Sequence, residues 1–264
     1  MRKIVFFDID GTLVDSPTQI VPDSAVKAIG RLREAGHLAV LNTGRPYTHI
    51  DRRILDITWD GCVSGCGMQV HGEGRGLHRA LPTPEQCRRM RDLVRQCGLD
   101  VFFEYEDGLI LDGTRPWGPQ VAHEADSLGK RGLTIALDPD RPDFHFEKFI
   151  TFDLGGGDME RFTREASRDF TLIDRGQGMT EAVLKGNSKS TGIGILLKYF
   201  GLSREDAYAF GDSTNDLPMF RCVGTPIAMG GSPEVLLREA AFETSEVLNG
   251  GIQRGLERCG LIGK

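Results

Sequence analysis

Long apolar runs are missing from this chain of 264 residues, and charged residues break every hydrophobic stretch before it could span a bilayer as a helix. The opening MRKIVFFDID begins with positive charge, but its apolar stretch ends after four residues at Asp8, too short for a secretion signal. Basic residues are in deficit too: 32 Lys and Arg stand against 38 Asp and Glu, giving a net charge of −6. With no dense block of Lys or Arg, neither nucleic acid nor an anionic membrane surface is an expected partner. Cysteine is sparse, with six residues scattered at 62, 66, 87, 97, 222 and 259. A chain of this size needs no disulfide framework, so reduced thiols and a cytoplasmic location are the expectation. Cys62 and Cys66 form C-x3-C, but no second Cys/His pair follows at finger-like spacing, and structural zinc takes four such ligands. The six histidines are dispersed, with no two at helical ligand spacing.

What the chain does have is glycine, 34 residues of it, which implies many tight turns or close backbone approaches. Its length suits two domains, or one domain with a large insertion. The N-terminal segment alternates buried-type strands with helices: KIVFFDI, then PDSAVKAIGRLREAG, then HLAVLNTG. In the helix, Val26, Ile29, Leu32 and Arg33 keep helical spacing, Asp23 or Ser24 is the expected cap and Gly36 the terminator. Apolar strands separated by helices indicate a parallel sheet covered on both faces. CVSGCGMQV reads as one more short strand, interrupted by glycines.

From about Leu81 the pattern changes. CRRMRDLVRQCG is an amphipathic helix with Met90, Leu93, Val94 and Cys97 on one face; Arg88, Arg91 and Arg95 read as its solvated side. DVFFEYED and LILD follow as a hairpin-like pair. FEKFITFDL, a glycine turn capped by Asp158, the helical MERFTREASRD, FTLID and MTEAVL complete a small α+β module. After Leu184 the first pattern resumes, with a helix over SKSTGIGILLKYFG capped by Ser188 and ended by Gly201. The strands DAYAFGD and TPIAMG and a closing helix GGIQRGLERCGL come after it. The expected architecture is α/β: a Rossmann-like doubly wound parallel sheet core from residues 1–80 plus 185–264, with an α+β cap domain inserted at 81–184.

Polar clusters fall at the ends of the core strands: Asp8 and Asp10, Thr43-Gly44-Arg45, and Gly211-Asp212 through Asp216, with Lys189 at a helix start. In an open parallel sheet the carboxyl ends of the strands share one crevice, where ligands bind. Four acids cannot all ionise together there unless a cation sits among them, and carboxylate and carbonyl oxygens suit Mg2+. An EF-hand calcium loop is excluded by spacing, because the sixth and twelfth positions from Asp8 are Leu13 and Gln19, and the sixth from Asp212 is Leu217. A cation, an ammonium group, a hydroxyl and backbone N–H groups facing one point describe a pocket for a phosphoryl group.

DIDGT at 8–12, TGR at 43–45, the lysine at 189 within KGNSKSTG and GDSTND at 211–216 stand in an order that resembles the four motifs of the haloacid dehalogenase superfamily. Within it the chain is similar to the Cof-type branch, which carries a large class IIB cap between the second and third motifs. The resemblance implies a Mg2+-dependent phosphomonoester hydrolase of small phosphorylated metabolites, with sugar phosphates first among them. It implies Asp8 as the nucleophile that forms an aspartyl-phosphate and Asp10 as the acid and base. It assigns Asp8, Asp10 (through its carbonyl), Asp212 and Asp216 (as outer support) to the metal. Thr43, Gly44, Lys189 and Asn215 would hold the phosphoryl oxygens. One departure is visible: relatives commonly carry Asn-Gly where this chain has Cys66-Gly67, and a thiol cannot supply the amide's hydrogen bonds. A phosphotransferase or phosphomutase using the same intermediate, and a non-catalytic phosphometabolite sensor, are the alternatives.

Overall fold

Side chains of β1 (Ile4–Phe7) alternate between two buried environments: Val5 and Phe7 join one apolar cluster, Ile4 and Phe6 another. A strand buried on both sides needs helices on both faces of its sheet. The first cluster is closed by α1 (Asp23–Glu34), through Ala25, Ala28, Ile29 and Leu32, and the second by residues 193–220, chiefly Ile193, Leu196, Met219 and Phe220. The computed structural model describes residues 1–106, 108–130 and 132–263. They divide into two units, one of Met1–Gly44, Ile50–Arg79 and Ser188–Lys264, the other of Arg45–His49 and Ala80–Asn187.

In chain order the strands after β1 are β2 (Leu38–Asn42), β3 (Gly61–Ser64), β4 (Gln69–Gly72), β5 (Arg75–Arg79), β6 (Asp100–Tyr105), β7 (Gly108–Ile110) and β8 (Thr134–Ala136). β9 (Lys148–Phe152), β10 (Phe170–Gly176), β11 (Met179–Leu184), β12 (Ala207–Gly211), β13 (Thr225–Ala228) and β14 (Phe242–Glu243) follow. The helices after α1 are α2 (Arg52–Leu55), α3 (Pro84–Gln96), α4 (Pro119–Lys130), α5 (Met159–Ala166), α6 (Lys189–Phe200), α7 (Leu217–Phe220), α8 (Glu234–Leu237) and α9 (Gly251–Arg258).

The first unit is built on an eight-stranded sheet of order β14-β13-β12-β1-β2-β3-β4-β5. Strands from β14 to β3 run parallel, with α1 and α9 on one face and α6 and α7 on the other, which is the doubly wound α/β core. The sheet is not wholly parallel. CVSGCGMQV is two antiparallel strands, β3 and β4, and β5 continues the meander at the edge. The chain reverses between them because Gly65, Cys66 and Gly67 all take positive φ (56°, 54° and 88°). In α1 the expected side-chain cap is absent: the helix begins at Asp23 with Pro22 before it. Val26 points outward and the buried stripe runs through the alanines instead. The C-terminus is a Schellman turn, with Gly36 at φ 85°, Gly36 N–H on Arg33 O at 2.9 Å and His37 N–H on Leu32 O at 3.2 Å.

The second unit holds a six-stranded sheet of order β10-β11-β9-β6-β7-β8, antiparallel except for β7 beside β8. Its helices α3 and α5 bury Cys87, Met90, Leu93, Val94, Phe162 and Ala166 against a phenylalanine-rich face that includes Phe103, Phe149 and Phe170. The opposite face packs Phe102, Leu109 and Phe152 against Val121 and Ala125 of α4. Thr83 and Asp158 cap α3 and α5, accepting from Gln86 N–H and Arg161 N–H. Of the three arginines read as solvated, Arg91 and Arg95 are only partly so: both reach Asp140, and Arg95 also holds Asp112 at 2.7 Å. Among the described residues no helix is long and apolar enough to cross a membrane.

Candidate active site

β1 and β12 lie side by side, and each ends in an acid: Asp8 after Phe7, Asp212 after Gly211. The Asp8 N–H donates to Phe210 O at 3.1 Å, so the ladder continues to the nucleophile candidate itself. The chain then turns sharply, with Thr12, Leu13 and Val14 N–H all directed at Ile9 O and Gly11 N–H returned to Val14 O at 2.8 Å. Gly11 is required here on two grounds. Its φ is +80°, and a Cβ would lie 2.2 Å from Asp212 Oδ2. Thr12, fully buried, donates from Oγ1 to Asp212 Oδ1 at 3.0 Å.

Beyond Asp212 a 3-10 turn over Thr214–Asp216 folds Asp216 back beneath the strand end. Its Oδ2 accepts the N–H groups of Asp212 and Ser213 at 3.0 and 3.2 Å, and a Cβ on Gly211 would lie 2.7 Å from that carboxyl. Ser188 caps α6 through a reciprocal pair with Thr191, which delivers Lys189 as the first helical residue. The Lys189 Nζ stands 2.8 Å from Asp8 Oδ1 and 2.6 Å from Asp216 Oδ1. A macrodipole argues mildly against a cation at a helix start, by about 0.3–1 kcal/mol, and the two carboxylates overcome it.

Burial is the largest influence on these groups. It pushes the Asp8 carboxyl up, the Lys189 ammonium pulls it back in part, and Asp216 and Asp212 push it further up. Burial and the Asp216 charge raise Asp212 to about 7, opposed by the Thr12 hydrogen bond and by Lys189; Asp10 adds a smaller upward push. For Lys189, burial opposes the charged form, but Asp216 and Asp8 outweigh it and raise the pKa overall. Ligand atoms of Asp8, Asp212 and Asp216 lie within 4.8 Å of one another. The donor set fits a hard divalent cation: three crowded carboxylates that one ammonium incompletely offsets, in oxygen surroundings. Asp216 is already engaged through both oxygens, so it suits a supporting position better than a direct ligand.

Of the residues singled out in the sequence, Asp8, Lys189 and Asp216 meet in one hydrogen-bonded chain, with Asp212 beside them. Thr43 is buried at the end of β2, its N–H on Val63 O at 2.8 Å and its carbonyl accepting from Cys66 N–H at 3.1 Å. Asp10, Gly44 and Asn215 lie half-buried on the loops that leave the same strand ends, and Asn215 Oδ1 accepts from Ser213 Oγ. Two residues were not singled out. Thr12 sat inside a quoted motif without a role, and Asn42 is a lone amide at the end of an apolar run.

Cys66 occupies a left-handed backbone position, φ 54° and ψ 43°, where Asn is several-fold enriched over other non-glycine residues. An Asn would suit this backbone whatever contact its amide made. At Gly67, φ is +88° and a Cβ would lie 2.1 Å from Ser188 O, so this turn presses against the start of α6. Gly67→Ala is expected to lower the Tm by about 4–8 °C, from about 1–2 kcal/mol of left-handed strain plus the clash. It should also reduce turnover, because the backbone that carries Lys189 must move; thermal denaturation and kcat measure the two effects.

Comparison with known proteins accounts for this arrangement. A profile described as haloacid dehalogenase-like hydrolase matches residues 5–256. YkrA of Bacillus subtilis, which carries a phosphatase name, is 30% identical over 263 residues that make up 98% of each chain. The HMP-PP phosphatase of Klebsiella pneumoniae is 26% identical over 249 residues, 90% of this chain and 88% of that one. A relative from Streptococcus pyogenes, 29% identical over 99% of this chain, is longer, and the chain spans 55% of its length. Among solved structures, the sugar phosphatase BT4131 of HAD subclass IIB superposes with a TM-score of 0.82 at 21% identity, over 98% of this chain and all of that one. With a match that runs from β1 into α9 and takes in every strand end described above, the chain belongs to the haloacid dehalogenase-like hydrolases.

Proposed function

We propose that the protein is a Mg2+-dependent phosphomonoesterase of small phosphorylated metabolites, sugar phosphates being the first class to test, working through an aspartyl-phosphate on Asp8. The observation that carries this reading is the Lys189 ammonium held between Asp8 and Asp216, with Asp212 alongside. Asp8, the Asp10 carbonyl and Asp212 would hold Mg2+, with Asp216 behind them. When bound, the metal supplies positive charge that keeps the carboxylates ionised and offsets the charge of the phosphoryl oxygens. Asp8 attacks phosphorus as the bond to the leaving oxygen breaks, and Asp10 gives that oxygen its proton. Asp10 then takes a proton from the water that attacks the aspartyl-phosphate, which frees inorganic phosphate and restores Asp8. Asp10 stands two residues past Asp8 on the turn that leaves β1, from which its carboxyl would address the same group. Lys189, Thr43, the Gly44 N–H and Asn215 hold the phosphoryl oxygens, and alignment with charge neutralisation is most of what phosphoryl transfer needs. In this reading residues 81–184 are the inserted cap that restricts the leaving group, and 1–80 with 185–264 the catalytic core.

Purified protein should release phosphate from an aryl phosphate with Mg2+ and stop on addition of EDTA. No release under any metal condition would leave a binding protein in place of an enzyme. A second measurement needs no turnover. Because the folded-state pKa of Asp212 lies near 7, above its unfolded value, the metal-free protein takes up protons on folding at this group. That contribution to stability is complete below about pH 4 and is lost as the pH rises through 7. Mg2+ binds the ionised form, so its thermal shift should grow over the same range, reaching about 5–10 °C at a hundred times its Kd. A shift independent of pH, or none, would count against a metal at these carboxylates.

A further inference from the structure

β2 is apolar through Leu41 and then, still fully buried, carries an amide at Asn42. Phe7 and Leu41 are register partners on β1 and β2, so the next rung sets Asp8 beside Asn42. The Asn42 Nδ2 donates to the backbone carbonyl of Lys189 at 3.3 Å and to Met219 Sδ at 3.3 Å. Its Oδ1 is buried with no hydrogen-bond partner. Val40, Val63, Ile193 and Met219 surround this face of the sheet, an environment that would take an apolar side chain without leaving a polar atom stranded. A buried orphan acceptor destabilises the fold, so stability alone favours another residue here. What the amide does is tie three elements together: the end of β2, which leads into Thr43; the first turn of α6, which carries Lys189; and α7, whose Met219 follows Asp216 by three residues.

We propose that Asn42 is a positioning residue for phosphoryl transfer, whose side-chain amide fixes the α6 start and α7 against β2 so that the Lys189 ammonium meets Asp8. The inference rests on the reading of Asp8 and Lys189 given above. The Asn42 amide bonds the Lys189 carbonyl and Met219 Sδ, so its part in the reaction runs through the lysine.

The test uses the full-length protein with saturating Mg2+ and an aryl phosphate. Asn42→Leu keeps the branched shape and the number of side-chain heavy atoms, and removes both the tie and the orphan oxygen. Its Tm should hold or rise by about 2–4 °C, while kcat falls about ten- to a hundred-fold, the scale of a displacement of about 1 Å at a reacting group. KM should change by less than about three-fold. Asn42→Ala serves in its place if the leucine variant does not fold, with the same kinetic expectation. A double-mutant cycle separates positioning from general loosening: in a Lys189→Ala background, Asn42→Leu should cost less than about two-fold further in kcat. A kcat of Asn42→Leu within two-fold of wild type, or an equal loss with and without Lys189, would overturn the proposal. Wild-type protein with no magnesium-dependent turnover would remove the functional reading and this inference together, whereas an active wild type with an indifferent Asn42→Leu removes the inference alone.

Discussion

Asp8→Asn is expected to reduce turnover by at least about 10⁴-fold, because the amide that replaces the carboxylate has the same shape and no nucleophilic oxygen to give to phosphorus. The fold should survive it. Asp8 is buried at the end of a strand whose ladder hydrogen bonds come from the backbone, and Lys189 keeps its second partner, Asp216, at 2.6 Å. The carboxyl that is removed was itself pushed toward its neutral form by burial and by two neighbouring acids, so a neutral amide fits the surroundings without a charge to desolvate. Melting temperature should therefore stay near wild type in metal-free buffer, while the thermal shift on adding Mg2+ shrinks because one of the proposed ligands is gone. Intact-mass analysis after substrate addition gives the complementary readout, a phosphorylated protein trapped by rapid quenching in the wild type and not in the variant. Turnover close to wild type would exclude Asp8 as the nucleophile.

What could be read in advance follows a physical pattern. β1, β2, β12 and β13 announce themselves as short apolar runs because both faces are covered, and the acids at their ends stand out against that background. The caps of α5 and α6 were legible because each rests on a side chain that accepts from the N–H three residues on. Local reasoning failed where the determinant was not local. Val26 was assigned to the buried stripe of α1, yet the small Ala25 and Ala28 face inward, a choice made by close packing against the sheet. α4 was not anticipated, since Val121 and Ala125 are its only fully buried side chains and its stripe is weak. The β3–β4 reversal was hidden because a left-handed cysteine between two glycines does not resemble a common turn sequence. At the site, Thr12 and Asn42 escaped for the same reason. Their bonds to Asp212 and Lys189 cross 200 and 147 positions of chain, and nothing near either residue encodes the partner.

Lys189→Ala should lower kcat by about 10²–10³-fold, the worth of roughly 3–4 kcal/mol for a donor that neutralises charge in the transition state. It should also change how stability responds to pH. The pKa of Lys189 is raised by Asp216 and Asp8, so its contribution to folding is present throughout the neutral range and is lost only as the pH climbs above the ordinary lysine value. Without it, Asp8 and Asp216 face each other with no cation between them, and removing one partner of a buried pair costs about 3–5 kcal/mol. Protonation is the available relief. The Asp8 carboxyl, already raised, moves higher still, and the folded state takes up a proton that the unfolded chain does not hold near neutrality. The Tm deficit relative to wild type should therefore be small near pH 6 and grow to about 10 °C or more at pH 9, above the wild-type Asp8 value of about 8. Mg2+ brings positive charge to the same oxygens, so at pH 9 it should stabilise the variant more than the wild type, provided that Asp8 and Asp212 hold it. A deficit equal at both pH values would mean that Lys189 does not hold these carboxylates in their ionised state, and an unchanged kcat would place the phosphoryl group away from it.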